Sequence, residues 1–260
     1  MKQVKAKIIL NEKAAPERFR MRLEAPSIAK EARPGQFLML KCQDDPLFML
    51  RRPLAFHRIM KDSFDVLYQV VGKGTEILAQ RKPGETLDVI GPLGNGFTSH
   101  VPRPTSHVIL IAGGIAVAPL LAFAEALPKK ICSKSVVIIG ACTKSHILCV
   151  DEFKKLGLRV EIATEDGTMG EKGLATDALK DFLRSTPHAL RSTIFACGPK
   201  RMLKEVAKIA RTNEIKCEVS LEEKMACGTG VCLGCAVKTV KGNRLVCKDG
   251  PVFNAEEIVW

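Results

Sequence analysis

Four cysteines near the C-terminus constrain this chain more than any other feature. They read Cys227-Gly-Thr-Gly-Val-Cys232-Leu-Gly-Cys235, with Cys247 after eleven further residues. The C-x4-C-x2-C…C spacing is that of plant-type [2Fe-2S] ligation. Four thiolates must converge on two irons, so the loop has to curl tightly, which Gly228, Gly230 and Gly234 permit. Their N–H groups are then free to point at the sulfurs and tune the potential. Zinc is the competing reading, but zinc knuckles pair C-x2-C units or add histidine. Here one C-x2-C stands with one C-x4-C and no neighbouring His. The last 44 residues hold five of the ten cysteines and are too few to build a core without a staple, which a cluster supplies. Cys217 reads as a buried strand residue rather than a fifth ligand. Cys42, Cys132, Cys142 and Cys149 are assigned packing roles only.

A length of 260 residues suits one large or two ordinary domains. The hydrophobic fraction of 46% with 26% charged residues is that of a soluble globular protein. No apolar run is long enough to span a bilayer. The first residues alternate polar and apolar like an edge strand, without the apolar core of a secretory signal. These features predict a cytoplasmic protein, where clustered cysteines hold metal rather than form disulfides. The net charge of +12 raises nucleic acid as a partner. Basic and acidic residues are mixed, however, and one Tyr and one Trp give no set of stacking aromatics, so nucleic-acid binding is not expected. The positive field instead suits steering of anionic dinucleotides or an acidic partner.

Three regions differ in texture. Residues 1–100 read as short strands at Lys5 to Leu10, Arg18 to Glu24, Gln36 to Lys41, Pro53 to Ile59, Phe64 to Val71 and Thr86 to Ile90, with one short helix at Thr75 to Arg81. That pattern predicts an antiparallel barrel or sandwich. Residues 101–215 open with a proline-bearing linker, Val101 to Ser106, and then alternate. Strands are predicted at Val108 to Ala112, Val136 to Ala141, Arg159 to Thr164 and Thr193 to Cys197. Helical segments are predicted at Ala116 to Leu127, Glu152 to Leu156, Thr176 to Leu183 and Lys200 to Arg211. Such alternation predicts a doubly wound α/β domain on a parallel sheet. Residues 216–260 form the cluster module.

Two turns of the α/β region have the chemistry of a dinucleotide site. Ile111-Ala-Gly113-Gly114-Ile-Ala116 follows a strand and opens a helix, which sets free N–H groups and the positive helix end beside a phosphate. Ala116 stands where a further glycine would complete the usual fingerprint, so alone this is also what an ordinary tight turn looks like. Cys197-Gly198-Pro199 ends a later strand on the same side of the sheet and leaves room for a flat ring. Glu165 and Asp166 close a third strand, as ribose ligands or as parts of a solvated turn. In the barrel region Arg51-Arg52-Pro53-Leu54-Ala55-Phe56 sets a basic pair at the start of an apolar strand, and an arginine there suits a diphosphate. Tyr68 lies on the next strand, and Gly72-Lys73-Gly74-Thr75 offers helix-start N–H groups. No nucleophile–base–orienter set is present, so no catalytic residue is assigned.

The ordered set of Arg-Pro-Leu, Gly-Thr, Gly-Gly…Ala-Pro, Cys-Gly-Pro and four tail cysteines resembles the ferredoxin-NAD(P)+ reductase superfamily. More closely it resembles the electron transfer subunits of NAD-dependent dihydroorotate dehydrogenases. The most specific segments are Gly91-Pro-Leu-Gly-Asn-Gly-Phe97, Glu222-Glu-Lys-Met-Ala-Cys-Gly228 and Val246-Cys-Lys-Asp-Gly-Pro-Val-Phe253. The resemblance covers essentially the whole chain and implies a β-barrel for the first region. It implies FAD held by Arg52, Pro53, Leu54 and Ala55, by Leu67, Tyr68 and Gln69, and by Gly74 and Thr75. It implies a [2Fe-2S] cluster on Cys227, Cys232, Cys235 and Cys247, and NAD against Gly113, Gly114, Cys197, Gly198 and Pro199. It further implies a catalytic partner subunit that holds FMN and oxidises dihydroorotate, in a heterotetramer of two plus two serving pyrimidine synthesis. The same cofactors would also serve a reductase subunit with another partner, such as a hydrogenase or a sulfide- or ferredoxin-linked oxidoreductase. Three positions depart from the family pattern: Ala55 replaces a usual Ser, Ala116 replaces a usual Gly, and the spacer before Cys247 is short.

Overall fold

The protein is described by a computed structural model covering residues 1–43, 50–98 and 107–260. The linker expected at residues 101–106 lies outside the described residues.

Six antiparallel strands close a barrel in the order β1-β2-β5-β4-β3-β6. They are β1 (Lys2–Ala15), β2 (Arg18–Glu24), β3 (Phe37–Leu40), β4 (Arg52–Ile59), β5 (Ser63–Gln69) and β6 (Thr86–Leu93). Period-two alternation aims Ala6, Ile8, Met21, Leu23, Leu38, Leu40, Phe64, Val66, Leu87 and Val89 into one core. A short helix, α1 (Pro26–Ala29), adds Ile28 to it. Helix α2 (Lys73–Gln80) follows β5. Strand β1 runs well beyond the predicted Lys5 to Leu10, because polar Asn11, Glu12 and Lys13 break the alternation there. It spans 14 residues by bulging at Ile8/Leu10 and Lys13/Ala15, and pairs β6 with its first half and β2 with its second.

The second layer is a seven-stranded sheet of order β10-β9-β8-β7-β11-β12-β15. It comprises β7 (Val108–Gly113), β8 (Val136–Ala141), β9 (Arg159–Thr164), β10 (Glu171–Lys172), β11 (Thr193–Cys197), β12 (Lys216–Ser220) and β15 (Val252–Asn254). All pairings are parallel except β12 with β15. Strand β7 shows why the sequence is apolar throughout: Ile109 and Ile111 enter one core, and Val108, Leu110 and Ala112 the other. Helices α3 (Val117–Ala126) and α5 (Val150–Lys155) cover one face, with short α4 (Lys129–Cys132) beside them. Helices α6 (Ala175–Ser185) and α7 (Lys200–Thr212) cover the other. Helix α3 also packs on β4, and Arg58 reaches Glu125 at 3.4 Å, which joins barrel and sheet.

The tail adds a hairpin, β13 (Ala236–Thr239) and β14 (Gly242–Leu245), that the sequence reading did not anticipate. Its Lys, Asn and Arg residues give little β signal. The turn is held locally, with Thr239 Oγ1 donating to the Gly242 carbonyl at 2.6 Å. Val237, Val246 and Ile258 of the tail share the core of Ile109 and Ile111. Among the described residues no helix is long and apolar enough to cross a membrane.

Candidate functional site: a cluster loop, a flavin cradle and a dinucleotide cleft

The four tail cysteines gather as two pairs. Cys227 Sγ accepts the N–H groups of Thr229 and Cys232, each at 3.4 Å, and Cys235 Sγ accepts Cys247 N–H at 3.4 Å. Burial raises the Cys227 thiol, but the N–H groups of Cys232, Thr229 and Val231 outweigh it and bring it down to about 5. Burial first, and the neighbouring Cys235 thiol second, push Cys247 up to about 12. Four thiolates side by side repel one another, and metal charge is what would let all four ionise. Gly228 and Gly230 hold φ of 72° and 86°, where a side chain would be strained. Leu233 adopts φ 59° without being glycine, the kind of outlier a tightly specified loop retains. Among the described residues no three His, Cys, Asp or Glu side chains gather around a single ion. Two thiol pairs with N–H groups on sulfur fit a two-iron cluster.

The loop is braced by two of the specific sequence segments. Asn95 Nδ2 donates to the carbonyls of Lys248 and Asp249 at 3.2 and 3.0 Å, and Asn95 N donates to Gly250 O at 2.6 Å. The Asp249 carboxylate accepts Leu245 N at 2.7 Å. Segment 91–97 of the barrel therefore holds the chain next to Cys247.

On β4, Arg52, Pro53, Leu54 and Ala55 are half-buried and pair with Leu40, Met39, Leu38 and Phe37. Arg51 is taken up by Asp88 at 2.9 Å. Arg52 bonds only the Leu50 carbonyl among the described residues and lies over the start of α2. A Cβ added to Gly74 would come within 2.5 Å of Arg52 Nη2 and 2.7 Å of its Nε, so the glycine makes room for the guanidinium. Thr75 Oγ1 caps the helix by accepting Val71 N–H at 3.0 Å and donating to Gly72 O at 2.9 Å. A guanidinium over a helix start is a donor set that fits the FAD diphosphate. The side chain of Tyr68 faces the barrel core, with its hydroxyl on Asn11 Oδ1 at 2.9 Å and its ring stacked on Phe19. Leu67 points the opposite way, into the core under α3.

The strand order reverses between β7 and β11, the point in such sheets where ligands bind. A cleft of about 950 Å³ opens there. Gly113, Gly114, Gly198 and Pro199 line it from the sheet and Gln69 from the barrel. Cys197 lies beneath it, 2% exposed, and burial pushes its thiol up. A Cβ on Gly113 would stand 2.6 Å from Pro199 Cδ, so the two turns touch only because the residue is glycine. Ala116 follows Gly114 in a 3-10 turn that leads into α3. The structure separates the two acids left open above: Asp166 Oδ1 is used by Thr168 N and Oγ1 at 3.0 and 2.7 Å, whereas Glu165 lines the cleft. Cys142, assigned to packing from sequence, is exposed in this cleft and donates to Glu165 Oε1 at 3.3 Å. Arg18 lines it too and was not singled out from sequence.

Comparison with known proteins places the chain among flavin- and nicotinamide-dependent reductases. Residues 222–259 match the family described as the iron-sulfur cluster binding domain of dihydroorotate dehydrogenase B, and residues 110–208 match the oxidoreductase NAD-binding domain. The dihydroorotate dehydrogenase B (NAD(+)) electron transfer subunit of Desulforamulus reducens is 41% identical, covering 98% of this chain and 97% of that one. Its counterpart in Caldanaerobacter subterraneus subsp. tengcongensis is 37% identical over 99% of each. A chain of the NADH-dependent reduced ferredoxin-NADP oxidoreductase superposes with a TM-score of 0.85 at 33% identity, covering 98% of this chain and 90% of that one. A ferredoxin NADP+ reductase from Neisseria gonorrhoeae shares the fold, with a TM-score of 0.69 at 16% identity over 82% of this chain and 92% of its own. Full-length identity at this level, together with the matched cluster-binding segment, means that the chain belongs to the family of electron transfer subunits of NAD(+)-dependent dihydroorotate dehydrogenase B.

Proposed function

We propose that this chain carries electrons between a dihydroorotate-oxidising partner subunit and NAD+ in pyrimidine synthesis. One observation carries the reading: the three sites adjoin three neighbouring barrel strands, β3, β4 and β5. The cluster loop packs through Gly228 on Met39, which pairs with Pro53 of β4. The dinucleotide cleft is lined by Gln69 of β5, which pairs with β4. FAD, when bound, couples two-electron hydride exchange with nicotinamide to one-electron exchange with a cluster. In this reading Arg52, Gly74 and Thr75 hold the FAD diphosphate, while Pro53, Leu54, Ala55, Leu67, Tyr68 and Gln69 offer backbone and wall to its ring system. With Ala55 in place of Ser the strand offers no hydroxyl there, and contact falls to its backbone. Gly113, Gly114, Cys197, Gly198 and Pro199 receive NAD, with Glu165 placed for the ribose hydroxyls. Cys227, Cys232, Cys235 and Cys247 hold the cluster. These residues bind, orient and shield, and none moves a proton.

The partner in this reading is an FMN-bearing catalytic subunit, two of each chain forming a cytoplasmic heterotetramer. Val231 and Leu233, 80% and 63% exposed on the cluster loop, give an apolar rim for that contact. Residues 1–100, 101–215 and 216–260 serve as the FAD, NAD and cluster segments. The test is dihydroorotate-driven NAD+ reduction with this chain and its genomic FMN partner, mixed and separate. NADH formed only in the mixture supports the assignment. A loaded chain that reduces dyes with NADH but never couples to dihydroorotate removes the pyrimidine role and keeps the reductase core.

A further inference from the structure

Strand β2 reads Arg18-Phe-Arg20-Met-Arg22-Leu-Glu, and its three arginines fall on one face by period-two alternation. Two of them have carboxylates. Arg20 pairs with Glu12 at 2.5 Å, and Arg22 grips Asp65 through Nε at 2.7 Å and Nη2 at 3.0 Å. Arg18 has none. It is the most buried of the three, at 5% exposed, yet its single hydrogen bond among the described residues runs from Nη1 to the Pro16 carbonyl at 3.0 Å. Its Nε is fully buried and has no partner among the described residues. An always-charged group withdrawn from water to this degree is unfavourable unless an anion completes it.

Arg18 lines the dinucleotide cleft together with the Gly113–Ala116 turn that leads into α3. The acids lining that cleft leave it unpaired. Glu165 accepts the Cys142 thiol, Asp177 and Glu205 share Lys180 at 3.6 and 3.1 Å, and Glu222 has no ion pair with Arg18. The cleft thus brings together glycine N–H groups, a helix start and a buried cation without a counter-ion among the described residues, a set that favours a doubly charged, bridging anion.

We infer that Arg18 binds the diphosphate of the nicotinamide dinucleotide, so that the FAD barrel itself closes the nucleotide site of the neighbouring sheet. The inference rests on the assignment of this cleft to NAD. It gives the barrel two arginines with separate tasks, Arg52 for the flavin nucleotide and Arg18 for the nicotinamide nucleotide. A nucleotide in the cleft would then bridge barrel and sheet.

The test compares calorimetric binding of ADP-ribose and of adenosine to the FAD- and cluster-loaded protein. Adenosine keeps the base and ribose but lacks the diphosphate. Arg18→Gln is expected to weaken ADP-ribose about tenfold to a hundredfold, the cost of a lost charge-assisted hydrogen bond, and to leave adenosine within twofold. Arg18→Lys keeps the charge and should recover part of the loss, and the salt dependence of ADP-ribose binding should flatten in Arg18→Gln alone. Flavin content and melting temperature establish that each variant is folded. If Arg18→Gln fails to fold, Arg18→Lys decides: ADP-ribose binding equal to the parent at low and high salt overturns the inference. Unchanged ADP-ribose affinity in folded Arg18→Gln, or equal loss of both ligands, also overturns it. Absence of ADP-ribose binding by the unmodified protein would instead remove the NAD assignment of the cleft.

Discussion

The cluster loop and the dinucleotide cleft are built in opposite ways. The loop takes three of its four thiols from nine consecutive residues, and its fourth arrives on a short excursion braced by Asn95. The cleft draws on the starts of α3, α6 and α7, the ends of β7, β8, β9 and β11 and two barrel strands, spread from Arg18 to Glu222. A local site depends on loop conformation and ligand identity. A dispersed site depends on the docking of whole layers, and each contribution is small.

Variants should separate the two. The largest effect is expected for Cys247→Ser, which removes one of the four thiols proposed to hold the cluster: visible cluster absorbance and acid-labile sulfide should be lost, while FAD content and NADH-to-dye activity persist. Loss of FAD together with the cluster would mean that the loop and cradle are one folding unit.

The wall between barrel and sheet should respond to acid. His57 is buried on β4 against α3, its Nδ1 unpartnered, and burial chiefly, with Arg58 next, lowers its pKa from 6.5 to about 4. The folded state therefore binds fewer protons than the unfolded chain between those values. The stabilisation is present above pH 6.5 and is lost as pH falls towards 4, by about 3 kcal/mol. Urea unfolding of His57→Gln between pH 4 and 7 should show a flatter pH dependence than the parent. A parallel slope in both would place the acid sensitivity elsewhere.

Within the cleft, Gly113→Ala forces a Cβ to within 2.6 Å of Pro199 Cδ. Overpacking of this kind costs about 1–3 kcal/mol, so NADH affinity should fall about tenfold or more with cluster absorbance unchanged. An unchanged NADH KM would show that the turn yields without cost. The smallest effect is expected for Glu165→Gln. Removing one negative charge where the ribose hydroxyls are proposed to sit should raise the NADPH-to-NADH preference about threefold to tenfold, read from kcat/KM for both nucleotides.

The same contrast explains what the sequence disclosed. The cluster-binding segment was legible because its cysteine pattern is set by spacing along the chain. The buried strands β7, β8 and β11 were legible because burial on both faces leaves an uninterrupted apolar run. Hairpin β13–β14 was not, since its stability comes from a local turn and the neighbouring core rather than from β-rich composition. Arg18 was hidden because, in a strand alternating Arg with apolar residues, a cation sealed against another layer looks like its solvent-facing neighbours. Cys142 and Glu165 acquired a shared place only when β8 and β9 set their ends side by side.

The account holds that cleft, cradle and loop form one electron path within this chain. Anaerobic titration of the purified protein with NADH, after iron, sulfide and FAD have been quantified, tests that directly. Flavin absorbance and the paramagnetic resonance of the reduced cluster are read in the same samples. The account predicts one FAD and two irons with two sulfides per chain, and reduction of both centres by NADH without any partner present. Flavin bleaching with a cluster that stays oxidised at every NADH excess, yet is reduced by dithionite, would contradict it.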